Sequence, residues 1–179
     1  MAVSIAIIKE LRELTAASVS DCKKALDDAK GDIKKALELL KQRGLEIAAK
    51  KASREANQGR IEAYVHTGNK IGVMVEINCG TDFVARNDEF ARFAKDIAMQ
   101  VAATDPQCLK REDVPANEIK DLNDAQKEDY FKVRCLMDQP FIKDPKQSIK
   151  DYLTATVAKI GENIVIRRYC RFKLGEDEK

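Results

Sequence analysis

The sequence predicts an α+β fold: an N-terminal three-helix module followed by a small antiparallel three-stranded sheet packed with helices. Three observations carry this. Apolar residues recur at helical spacing through the first 44 positions, and period-two alternation flanks Thr67-Gly68-Asn69. Helical stripes then resume after Asn87 and give way to a final strand-like run at 163–174.

The first helix is marked by Val3, Ile7, Ile8, Leu11 and Leu14, and the second by Cys22, Ala25, Leu26 and Ala29 beyond the turn Thr15–Ser18. Gly31-Asp32 supplies a helix stop followed at once by an N-cap. Ile33, Ala36, Leu37 and Leu40 form the third stripe, which is expected to stop near Gly44. The expected organisation is a three-helix module over 1–44, a basic helical connector over 45–58 and an α+β core over 59–179. The connector's Lys50, Lys51, Arg54 and Arg60 read as a solvated face, because no aromatics interleave with them.

Two strands are expected at 59–66 and 70–79. A two-residue loop at Gly68-Asn69 would pair Val65 with Gly72 and put the two apolar sets on opposite faces. A three-residue loop pairs Val65 with Ile71 and Ala63 with Val73, and burial of both sets favours it. Asn87-Asp88-Glu89 opens a helix with a cap and acids in its first turn. Its stripe is Phe90, Phe93, Ala94, Ile97, Ala98 and Val101, ended by Thr104-Asp105-Pro106. A second helix is expected over 115–137, then a turn bracketed by Pro140 and Pro145. A third carries Ile149, Leu153, Thr156, Val157 and Ile160 and stops at Gly161. The last strand sets Ile164, Ile166, Cys170 and Phe172 on one side, with Arg168 breaking the pattern.

Bulk properties narrow the function. A net charge of +2 with 35% charged residues gives a mixed-sign surface and no polyanion signal. No stretch approaches the ~20 apolar residues that span a bilayer. The opening Met1-Ala2-Val3-Ser4 leads into a charged helical pattern rather than a signal peptide, so the chain reads as cytoplasmic, with no membrane or direct nucleic-acid partner. Five dispersed cysteines and one histidine suggest free thiols and no metal or cofactor site. Phosphate-cradling motifs are missing. The best nucleophile–base pair, Cys79 with His66, lies at opposite ends of a strand, ~30 Å apart at ~3.3 Å per residue. No catalytic residues are assigned and the chain reads as a non-enzyme.

Binding remains. In "NCGTDFVARN" (78–87), Phe83 and Val84 are the only large apolar side chains on a strand-to-helix connection. Such a phenylalanine is most often core packing, yet an aromatic on a scaffolded loop also suits an interface anchor. Pattern alone leaves Phe83 leaning toward the core.

Three segments carry a resemblance: "LRELTAASVSDCKKALDDAKGDIKKALELLKQRG", "EINCGTDFVARNDEF" and "QPFIKDP…IGENIVIRRYCRF". In this order they resemble the elongation factor Ts family over nearly the whole chain, in its short form with one core module. The resemblance implies a guanine-nucleotide exchange factor for elongation factor Tu. The first helices would form a ubiquitin-associated-like fold that docks on the GTPase, with Leu11 or its neighbours lending area. The Thr-Asp-Phe-Val segment, here Thr81, Asp82, Phe83 and Val84, would reach toward the Mg²⁺ and nucleotide region. Asp82 would disturb the ion's surroundings, meet the partner or cap its own segment. The short form implies a homodimer. The turn Thr15-Ala16-Ala17-Ser18 departs from the family by lacking glycine. Two other classes compete: a non-exchanging ubiquitin-associated-like adaptor for the ribosome or another protein, and a thiol-based redox enzyme.

Overall fold

The computed structural model describes residues 4–15 and 17–176. Val3 of the first apolar stripe, the opening Met1-Ala2-Val3 and Ala16 of the first turn lie outside the described residues. The chain forms two compact units. One comprises the residues up to Arg54 together with Thr154–Asn163, and the other comprises Glu55–Leu153 together with the chain from Ile164 onward.

In the first unit, α1 (Ile5–Thr15), α2 (Val19–Asp28) and α3 (Ile33–Ala52) bury Leu11, Cys22, Ala25, Leu26, Ala29 and Ala36 together. Small residues at four of these six positions let the short helices approach closely. The Ser18 hydroxyl caps α2 by accepting the Asp21 N–H at 3.0 Å. Thr15 Oγ1 accepts the Ala17 N–H at 3.3 Å, so a hydroxyl organises the turn that lacks glycine. After α2 the chain reverses through Lys30 and Gly31 at positive φ, and the Gly31 N–H returns to Leu26 O at 2.8 Å. The Asp32 carboxylate then caps α3 by accepting the Lys34 and Lys35 N–H groups.

The third helix does not stop at Gly44. It continues to Ala52, so most of the expected connector belongs to it. A Cβ at Gly44 would lie 3.7 Å from Ala158 and 3.8 Å from Thr154, and this packing outweighs the ~1 kcal/mol that glycine costs inside a helix. Leu14, expected in the apolar stripe, is exposed. The Asn163 amide ties off the unit by donating to Arg54 O at 2.7 Å.

The second unit begins with β1 (Gln58–Val65) and β2 (Ile71–Cys79), followed by α4 (Asp82–Ala85) and α5 (Asp88–Thr104). Next come α6 (Ala116–Ile119) and α7 (Asp124–Arg134), where one helix over 115–137 was expected. A reciprocal cap between Asn123 and Gln126 starts α7 afresh. A hairpin of β3 (Pro140–Phe141) and β4 (Asp144–Ser148) leads into α8 (Ile149–Ile160), whose residues from Thr154 onward belong to the first unit and which Gly161 ends at φ +81. Finally, β5 (Ile164–Lys173) joins the main sheet, whose order is β1-β2-β5, antiparallel throughout.

Two expectations about this sheet are corrected. Val65 pairs with Gly72, and Ala63 with Met74, which is the register of the two-residue Gly68-Asn69 loop. Both loop residues have positive φ, the conformation that matches the twist of a tight hairpin. Ile61, Ala63 and Val65 therefore face outward, while Val73, Val75, Ile77 and Cys79 are buried. Second, β5 does not keep one side. Its register shifts at Glu76/Ile77, leaving Arg167 as an extra residue that reverses the faces. Ile164 and Ile166 point inward, whereas Cys170 and Phe172 point outward with Met74 and Gly72.

The inner face is covered by α5, whose Phe90, Phe93, Ala94, Ile97, Ala98 and Val101 are all fully buried. At ~1.5–3 kcal/mol for each large apolar side chain, this layer dominates the unit's stability. Asp96 on the same helix is buried but satisfied, by Lys143 at 2.6 Å and the Tyr152 hydroxyl at 2.9 Å. No helix among the described residues is long and apolar enough to cross a membrane.

Candidate functional site

The connection from β2 to α5 is built from both ends inward. Cys79 closes the strand as a buried residue, and its thiol donates to Thr81 O at 3.2 Å. Thr81 is extended, and its hydroxyl accepts the Val84 N–H at 3.4 Å as the cap of α4. The single turn closes through Ala85 N–H to Thr81 O and Arg86 N–H to Asp82 O, both 3.2 Å. Asn87 N–H then donates to Val84 O at 2.9 Å, while the Asn87 side chain caps α5 by accepting the Glu89 N–H at 2.8 Å. One short turn thus sits between two side-chain caps and packs against β1, β2 and α5.

This scaffold decides how the four expected residues point. Val84 is half-buried, anchoring the turn, and Phe83 is 83% exposed. The lean toward the core that pattern alone gives Phe83 does not hold, and the side chain faces solvent. A helix turn held by its own caps can turn a large apolar residue to solvent without unravelling. Asp82 is not the cap, since Thr81 fills that role. The Asp82 carboxylate instead meets Arg86 one turn on, at 3.2 Å. Both partners are well exposed, so the pair contributes at most ~1 kcal/mol. Arg86 was missed in the sequence, although its i,i+4 spacing from Asp82 is a readable signal.

Leu11 lies in the other unit and is fully buried under its helices. It supports the helical surface from beneath, and the exposed apolar residues of that unit include Ile5, Leu14 and Val19. His66 bonds the Tyr64 hydroxyl through Nδ1 at 3.0 Å beside the hairpin turn, while Cys79 ends β2. They do not come together. Among the described residues no His, Cys, Asp or Glu cluster is arranged to hold a metal ion.

Fold and site together define an α+β protein that carries an exposed aromatic on the capped turn between β2 and α5. Comparison with known proteins gives it a family. The family model described as Elongation factor TS matches residues 2–131. Elongation factor Ts of Carboxydothermus hydrogenoformans is 51% identical over 191 residues, covering 95% of this chain and 88% of its own length. That of Thermodesulfovibrio yellowstonii is 48% identical over 198 residues, covering 99% of each chain. That of a Thermoanaerobacter species is 48% identical over 195 residues, covering 97% of this chain and 96% of its own. The chain belongs to the elongation factor Ts family, and its role is that of a translation elongation factor.

Proposed function

We propose that the chain is a cytoplasmic guanine-nucleotide exchange factor for elongation factor Tu, acting by mechanical displacement and no covalent chemistry. The observation that carries the reading is Phe83, 83% exposed on a turn fixed by two caps. A GTPase holds its nucleotide through backbone amides, a lysine and Mg²⁺. Phe83 enters between packed elements of the GTPase and favours an arrangement in which those ligands no longer converge. Coupling is reciprocal: to the extent that the factor weakens nucleotide binding, nucleotide weakens binding of the factor. Thr81 and Val84 hold the wedge in place, and Asp82 presents a carboxylate at its base, facing the ion or a partner group. The helical unit docks on the GTPase through exposed residues such as Leu14 and Val19, with Leu11 maintaining the surface beneath them.

The factor further acts as a homodimer. Support comes from the outer face of the sheet, where Ile61, Val65, Met74 and Phe172 are exposed on three adjacent strands. Two copies joined by this face would cover an apolar surface that one copy leaves to water. Light scattering at micromolar concentration should give twice the chain mass, and a monomer both alone and with the GTPase refutes this part. Release of a fluorescent GDP analogue from elongation factor Tu tests the main reading. Acceleration is expected, and its absence, with binding retained, favours the adaptor class.

A further inference from the structure

Cys108 and Cys135, 27 positions apart, meet in the second unit with their Sγ atoms 3.0 Å from each other. The backbone sets this approach. The two residues are partners in a parallel bridge, with Leu136 N–H donating to Cys108 O at 3.0 Å and Cys108 N–H to Arg134 O at 3.2 Å. The ladder continues outward through Met137 N–H to Leu109 O at 3.1 Å. Neighbouring extended segments hold Cα atoms about 5 Å apart, inside the ~4.4–6.8 Å that a disulfide spans. The sulfurs need to close by about 1 Å to reach bonding distance.

The two thiols differ in access. Cys135 is fully buried beside Val114 and Phe131. Cys108 is half-buried and lines an open cleft of about 470 Å³. Lys110, Arg167 and Arg168 line the same cleft against one carboxylate, Asp113, and this balance favours a reagent that carries carboxylates.

We propose that Cys108 and Cys135 form a reversible modification site, oxidised to an intrachain disulfide by small anionic disulfides of the glutathione type. The Cys108 thiolate attacks one sulfur of the reagent, whose S–S bond breaks, releasing one reagent thiol and leaving a mixed disulfide on Cys108. Cys135 then gives up its proton to solvent and attacks the Cys108 sulfur, releasing the second reagent thiol. Two protein thiols and one disulfide reagent become one protein disulfide and two reagent thiols, with two electrons passing to the reagent. Burial raises both thiol pKa values, that of Cys135 to about 12, so the pair rests as a dithiol at neutral pH and the first attack is slow. The cross-link closes a loop containing α6 and α7, which packs around Val114, Phe131 and Cys135.

The test is incubation of the full chain with glutathione disulfide, then alkylation in denaturant and peptide mapping by mass spectrometry. The expected product links the peptides of Cys108 and Cys135, leaves Cys22, Cys79 and Cys170 alkylated, and reverts with a dithiol reductant. Hydrogen-exchange protection across 109–134 should rise on the order of a hundredfold in the oxidised form. Cys135→Ser should trap glutathione on Cys108. Should that variant fold poorly, Cys108→Ser serves instead, and Cys135 in it should remain unmodified. Alkylation of both thiols after oxidation, a link through another cysteine, or glutathione on Cys135 in Cys108→Ser would overturn the proposal.

Discussion

Phe83→Ala separates what holds the protein together from what it presents to a partner. The side chain is 83% exposed, so about a sixth of it is covered in the folded chain. A large aromatic can bury ~200 Å², and a sixth of that at ~25 cal/mol per Å² gives roughly 0.8 kcal/mol as the most that truncation costs. For a chain of this size that lowers the melting temperature by about 2–3 °C. A core phenylalanine truncated to alanine would cost ~3–5 kcal/mol. At the interface the balance reverses. An aromatic anchor that becomes buried against a partner is worth ~2–4 kcal/mol, or about 30- to 1,000-fold in the exchange rate per unit of factor. The assay is release of a fluorescent GDP analogue from elongation factor Tu against factor concentration, with circular dichroism melting of the same preparation. A melting point lowered by more than ~10 °C, or exchange within about threefold of the parent, would refute the wedge reasoning.

Other substitutions divide the same way. Leu11→Ala should cost ~2–5 kcal/mol in urea unfolding because its side chain is fully buried, and an unchanged midpoint would contradict the packing of the helical unit. Arg86→Ala should leave stability within ~1 kcal/mol. Asp82→Ala should reduce exchange more than Arg86→Ala does, whereas equal losses would mean that the carboxylate acts only by orienting the arginine. Gly59→Ala would set a Cβ 2.2 Å from Ile77 O at a φ of +152, so the hairpin should be destabilised by more than ~2 kcal/mol. The Tyr152 hydroxyl ionises above its ordinary range, first through burial and then through Asp96. Its stabilisation is therefore complete below the unfolded pKa of ~10 and is lost as pH rises beyond it. Urea midpoints should fall steeply across alkaline pH and less steeply in Tyr152→Phe.

What could be read in advance follows how local each determinant is. The caps at Asp32 and Asn87, the stripe from Phe90 to Val101 and the stop at Gly161 depend on neighbours within one turn, and all stand as read. Burial of both apolar sets selects the wrong hairpin register, because this sheet carries apolar residues on both of its faces. Ile61 and Val65 are apolar and exposed, which alternation along one strand cannot distinguish from burial. Helix α3 runs through Gly44 because Thr154 and Ala158, more than a hundred positions away, pack there. Phe83 was legible as a large residue among small ones, but its direction depends on caps at both ends of a four-residue helix. The approach of Cys108 to Cys135 left no trace in their spacing, because it arises from a tertiary bridge.

The extra residue at Arg167 makes β5 a strand whose parity matters more than its length. Removing that one residue would restore strict alternation from Ile166 to Arg168 and keep Tyr169, Cys170, Arg171 and Phe172 on their present faces. Removing two residues there would carry Cys170 and Phe172 under α5 and turn Tyr169 and Arg171 to the outside. Loss of the extra residue alone should therefore be tolerated and loss of two rejected, so the outer face of the sheet is specified by a count as much as by the residues that form it.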